Sequence, residues 1–160
     1  MPAEPKESAV TPSVRALTAK DFDAVVALDQ RITGHQRRDY FAKRLQAAVR
    51  NPKDHLQLAA EGPAGLVGFL LARVAGGEFG RPQPAAVLET VGVDPAAQHR
   101  GVGQSLLQGL EDLMRHKNIP ELVTDVEWTN HAMLRFLAGG GFALAPRQIV
   151  ECPVDLADRL

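Results

Sequence analysis

Gln98-His99-Arg100-Gly101-Val102-Gly103 sets two glycines three and five residues after a glutamine, directly before a helical apolar stripe. Glycine lets the backbone approach a ligand closely. The first turn of a helix carries unpaired N–H groups and the positive end of the helix dipole. Such a loop suits an anion, most naturally a phosphate. An ordinary tight turn between strand and helix is the alternative. Just upstream, Glu89 is the lone charge in an apolar run from Val87 to Val93. A carboxylate there needs a partner, water or a chemical task. Burial makes a carboxylate a better proton acceptor, so general-base work is one such task. A structural carboxylate at a solvated cleft mouth is the other reading. Asp125 and Glu127 are weaker candidates, since they alternate with apolar neighbours.

The elements that must position these residues are a strand, a short loop and a helix. The strand runs from Val87 to Val93, nearly all apolar or small, as suits a strand covered on both faces. The helix starts near Gly103, with Val102, Leu106, Leu107, Leu110, Leu113 and Met114 at helical spacing.

Val91-x-Val93-Asp94-Pro95, then Gln98-x-x-Gly101-x-Gly103, then an amphipathic helix, then Asn130 and Gly141-Phe142, together resemble the acyl-CoA site of the GNAT N-acetyltransferase superfamily. The resemblance runs from about Val14 to Val154 and is strongest from Leu88 to Phe142. It implies an acyltransferase using acetyl-CoA, or another acyl-CoA, and a primary amine acceptor. It implies direct attack within a ternary complex. By position it puts the Val91 N–H near the thioester carbonyl and Val93 on the pantetheine arm, with Gly92 suited to a bulge that kinks the strand. The amides of His99, Arg100, Gly101, Val102, Gly103, Gln104 and Ser105, after Gln98, would hold the pyrophosphate. Asn130 and Phe136 are further contacts implied for the cofactor, although an asparagine at a helix start also serves as a plain N-cap. Glu89 falls where many members carry a general base. One position departs from the pattern. Many members have a tyrosine seven residues after the asparagine as proton donor to the departing thiol, and here Leu137 stands there. A catalytically silent acyl-CoA-binding module is therefore the second reading. A phosphate-ligand-binding domain of unrelated type is the third.

Composition sets the outer bounds. The chain has 160 residues, enough for one domain with a real core, and a net charge of −1 gives nucleic-acid binding no electrostatic support. Cys152 is the only cysteine, so no intramolecular disulfide is expected. The five histidines show no metal spacing, so no metal is expected. The first residues lack an apolar core of the secretory kind, and no apolar run reaches membrane-spanning length. The expectation is a cytoplasmic protein with no membrane partner, and a homodimer through an apolar C-terminal strand is consistent with the family.

Read in order, residues 1–12 suggest a disordered tail and residues 13–155 one domain. Val14 to Leu17 reads as a strand. A helix capped by Thr18 or Asp21 would run to about Ile32, with Phe22, Val25, Val26, Leu28 and Ile32 inward. A second helix, roughly Gln36 to Arg50, shows an apolar stripe of Phe41, Leu45, Ala48 and Val49. Its basic face (Arg37, Arg38, Lys43, Arg44, Arg50) reads as solvated, or as a contact for acceptor or phosphates. Tyr40, the only tyrosine, reads as a core ring with a wet hydroxyl. Acceptor contacts are expected from Gly34 to Tyr40 and from Ala145 to Arg147. Strands are expected at Leu56 to Ala60, Leu66 to Val74, Leu122 to Trp128, Phe142 to Leu144 and Gln148 to Val154, with a short helix after Asn130. The order predicts an α+β fold: a mixed, mostly antiparallel sheet of six or seven strands, splayed between the fourth and fifth, with about four helices.

Overall fold

The computed structural model describes residues 11–156. The proposed disordered tail therefore lies, for its first ten residues, outside the described residues. The chain divides into two compact units, Met1–Asp125 and Val126–Leu160, and each is treated by itself.

The first unit holds five strands in the order β1-β2-β3-β4-β5. They are β1 (Ser13–Ala16), β2 (His55–Gly62), β3 (Gly65–Ala75), β4 (Ala85–Val93) and β5 (Glu121–Val123). The first four pair antiparallel, and β5 runs parallel to β4. Helices α1 (Phe22–Thr33), α2 (Arg38–Arg50) and α3 (Val102–His116) complete the unit. The helix α4 (His131–Gly139) belongs to the second. The α+β class, the mixed sheet and the four helices are as expected from sequence; the strand count among the described residues is five rather than six or seven.

The missing strands are those expected at Phe142 to Leu144 and Gln148 to Val154. Residues 142–156 form no strand, and Leu144, Ile149, Val150 and Val154 are exposed. Pro146 and Pro153 each remove a ladder donor, which opposes pairing there. The fifth strand is also shorter than expected, ending at Val123 instead of Trp128.

Each face of the sheet has its own glycine-made notch. On one face, α1 and α2 bury Val25, Val26, Leu28, Phe41 and Leu45 against Phe69 and Leu71. The rings of Phe41 and Phe69 meet edge to face at 5.5 Å. Gly92 faces this core, where an added Cβ would sit 2.7 Å from the Phe69 ring. On the other face lies α3, with Leu106 and Leu110 fully buried. A Cβ on Gly68 would come within 2.9 Å of the Val102 side chain and 3.1 Å of Leu106. That missing Cβ lets the start of α3 settle onto β3. Ile32 and Val49, assigned inward by periodicity, are exposed at the ends of their helices.

The chain entry is fastened electrostatically. Asp21 receives Thr18 N–H at 2.8 Å and a two-pronged Arg15 guanidinium at 2.7 and 2.8 Å. The Arg15 hydrogen bonds hold the Asp21 carboxyl at about 2, below its ordinary 3.8. The folded pKa is depressed, so this stabilisation is present above the unfolded value and is lost as pH falls through the folded one. We expect the unfolding free energy to decline between about pH 4 and pH 2, with Asp21→Asn flattening that part of the curve in denaturant titrations.

Candidate acyl-transfer site

Gly68 pairs with Val93, Phe69 with Gly92, Leu70 with Val91 and Leu71 with Thr90; the next residue of β3, Ala72, pairs with Leu88. Glu89 is thus the extra residue of a β-bulge. The sequence had suited Gly92 to that role. The structure instead uses Gly92 for close packing under Phe69. A bulge puts two successive side chains on one face. Glu89 and Thr90 both reach α2: Glu89 pairs with Arg44, and Thr90 Oγ1 lies 2.9 Å from the Tyr40 hydroxyl. Val91 and Val93 share the opposite face with Leu70 and Gly68, whereas simple alternation would have put them with Glu89.

The Glu89 side chain is 13% exposed and sits between two guanidinium groups. Its Oε2 lies 3.2 Å from Arg44 Nε, and its Oε1 accepts from Arg73 Nε at 3.2 Å. The Arg44 guanidinium lies over the Tyr40 ring at 4.6 Å, and Arg37 approaches the same ring at 5.0 Å. Arg37 itself forks onto Asp29, donating Nε–H to Oδ2 at 2.9 Å. Asp29 is 2% exposed, and its hydrogen bond raises the Arg37 pKa. The basic face of α2 is therefore not simply solvated: Arg37 and Arg44 brace Tyr40 and Glu89.

The backbone of β4 supplies a second row of groups. Asp94 N–H donates to Val67 O at 2.8 Å, towards β3. Backbone groups alternate sides along a strand. So Val93 and Val91 point their N–H and C=O towards the other edge, where β5 would run. Leu88 O points the same way and accepts from Thr124 Oγ1 at 2.9 Å. Pairing with β5 ends at Val87↔Val123. β5 itself ends there, and among the described residues no strand pairs with the outer edge of Val91 and Val93.

After Val93 the chain turns through Asp94. Its carboxylate accepts from Ala96 N–H at 3.0 Å and from Arg31 at 2.9 Å, and the Ala96 bond lowers its pKa. The loop then exposes Gln98, His99, Arg100 and Gly101. His99 (φ 62°) and Gly101 (φ 81°) are both left-handed. Gly101 begins α3 without a side-chain cap, and the first intrahelical bond is Ser105 N–H to Gly101 O. The N–H groups of Val102, Gly103 and Gln104 are left for a ligand or solvent. Val102 is buried beneath this turn and anchors it.

In the second unit, Asn130 Oδ1 caps α4 by accepting Met133 N–H at 3.2 Å. Phe136 is half-buried and Leu137 buried in the same helix. Asp125, Glu127 and His131 are exposed. No group of three His, Cys, Asp or Glu residues among the described residues forms a metal-holding cluster. No helix among them is long and apolar enough to cross a membrane.

An unpaired edge of β4, leading through a glycine turn into a helix with no side-chain cap, is the feature that marks this α+β fold. The acetyltransferase (GNAT) family model matches residues 22–142, and the chain belongs to that family of N-acetyltransferases. It is 37% identical over 92 residues to a mycothiol acetyltransferase of Nocardioides sp. (strain ATCC BAA-499 / JS614), covering 54% of this chain and 31% of that protein. The chain thus spans about a third of that relative's length. Among solved structures it resembles AAC(6')-Iy in complex with the bisubstrate analog CoA-S-monomethyl-acetylneamine. The TM-score is 0.76 at 17% identity, over 90% of this chain and 99% of that one. It also resembles the ribosomal-protein-S18-alanine N-acetyltransferase of Escherichia coli, with TM-score 0.69 at 21% identity, over 84% of this chain and 79% of that one. These likenesses establish the fold.

Proposed function

We propose that this protein transfers an acetyl group from acetyl-CoA to a primary amine by direct attack in a ternary complex. The observation that carries this reading is a pair of backbone donor groups on either side of the Asp94 turn. One is the outer edge of Val91 and Val93, and the other is the N-terminus of α3; the N–H groups of Asp94, Ala96 and Ala97 between them are bonded within the chain. The amides from His99 to Gln104 suit a pyrophosphate, whereas Ser105, expected from sequence to join them, spends its N–H on Gly101 O; the edge of β4 suits the extended amide chain of pantetheine. Arg100 would add a charge-assisted bond to a phosphate. The relatives' names support an amine acceptor: one acetylates a ribosomal-protein alanine, and another binds an acetylneamine conjugate.

Acetyl-CoA supplies an activated thioester. The Val91 N–H is the donor for the oxygen that becomes negative as the amine adds. Glu89 takes the amine proton, directly or through a water, and the C–N bond forms as the C–S bond breaks. A carboxylate offers about four acceptor positions, so two arginine contacts leave room for that proton. The thiolate leaves without a donor from position 137. A thiol with an ordinary pKa of about 8.5 tolerates this. A cytoplasmic location and a homodimer remain part of this reading, the latter supported by the exposed Leu144, Ile149, Val150 and Val154.

Leu137 also favours a second reading, acyl-CoA binding without turnover. Both are tested by unfolding with and without acetyl-CoA, with ATP and NAD as controls. A hundredfold excess over Kd should add roughly 2.7 kcal/mol to apparent stability. A shift with acetyl-CoA alone, followed by CoA release on adding amines, supports the enzyme. A shift with no release across a broad amine panel supports the silent module. A shift matched by ATP removes both.

A further inference from the structure

The arginine clamp on Glu89 is unbalanced. Arg44 and Arg73 bring two positive charges to a single carboxylate. The neighbouring cation does not alter this count, because Arg37 is matched by Asp29. Arg44 Nε is buried without a hydrogen-bond partner: it lies 3.2 Å from Glu89 Oε2 but is not aligned with it. The only side-chain hydrogen bond of Arg73 among the described residues is the one from Nε to Glu89. The forked ends of both guanidiniums are therefore uncommitted, while their side chains are only 36% and 45% exposed. A half-buried surplus cation with free, planar donors is the complement of a second carboxylate.

Resting on the acyl-transfer reading above, we propose that the acceptor is an amine carrying a carboxylate on the adjacent carbon, as a free amino acid does. Its ammonium meets Glu89, which takes the proton. Its carboxylate takes the free forks of Arg44 and Arg73. Ammonium and carboxylate on neighbouring carbons match an anion and two cations already in contact. The Tyr40–Thr90 hydroxyl pair, beside Glu89 on the same face, closes that side of the site. A peptide N-terminus lacks the adjacent carboxylate, and a polyamine adds cations to a site already one cation in surplus.

The test compares free amino acids with their carboxamides and their decarboxylated amines, following CoA release, with acetyl-CoA binding measured separately by calorimetry. The acids should exceed their amides in kcat/KM by on the order of 10- to 100-fold. In Arg44→Gln and Arg73→Gln that acid-to-amide ratio should fall towards one, chiefly through KM for the acid. The ratio is taken within each variant, so a general loss of folded protein does not move it. Arg44→Lys, which keeps charge but not the fork, should fall between. Acetyl-CoA binding with amides used as well as acids, or with amides or simple amines used and no acid, overturns this inference alone. Absence of acetyl-CoA binding overturns it together with the acyl-transfer reading.

Discussion

Glu89→Gln lowers turnover at neutral pH by about 10²- to 10⁴-fold, the usual range for loss of a positioned base, while acetyl-CoA affinity stays within about twofold. The two effects separate because the groups proposed above to hold acetyl-CoA are backbone amides of Val91, Val93 and the α3 start, not this side chain. Glutamine keeps the size of glutamate and can still accept from one arginine, so the bulge persists. Steady-state rates with saturating acetyl-CoA, beside calorimetric binding, make the comparison. Unchanged turnover would remove Glu89 from the chemistry and leave it a brace between α2 and β3.

Arg37→Met destabilises the protein by about 3 kcal/mol, because it strands a carboxylate that cannot reach water. Asp29 is 2% exposed, whereas the Arg37 side chain is 37% exposed. The converse change, Asp29→Asn, costs less, since the arginine left behind can turn to solvent. The double variant Asp29→Leu with Arg37→Met recovers most of the loss, as replacing both ends of a buried pair by apolar groups often does. Urea midpoints at constant m-value give the order. An Arg37→Met variant as stable as the parent would mean that Asp29 gains access to water.

The strand–loop–helix unit is legible in the sequence because three independent signals coincide there. The apolar run of β4, the glycines of the turn and the 3.6-residue stripe of α3 each point to one element and agree on their order. The core of α1 and α2 is legible for the same reason, apart from Ile32 and Val49 at the helix ends. Around the candidate base the pattern fails. In a run as apolar as Val87 to Val93, alternation cannot reveal that one residue is extra, so the bulge falls on Glu89 unseen. The partners of Glu89 lie 45 and 16 residues away in sequence, at Arg44 and Arg73, beyond any local periodicity. One signal was available. Arg73 is the lone charge of β3 and Glu89 the lone charge of β4, and adjacent antiparallel strands with one charge each invite their pairing. The C-terminal strands failed differently: β-branched and apolar residues after Phe142 read as strand, but prolines at 146 and 153 withhold the donors that a ladder needs.

The ladder on either side of Glu89 is in step with β3: Leu88 opposes Ala72 and Thr90 opposes Leu71, with nothing left over on the partner strand. A chain lacking this one residue would keep every inward-facing position of β4 and close into a regular strand. The charged group is thus the one residue of β4 whose removal leaves the ladder and the core register whole, so a chain deleted at Glu89 alone should keep its fold while losing the carboxylate.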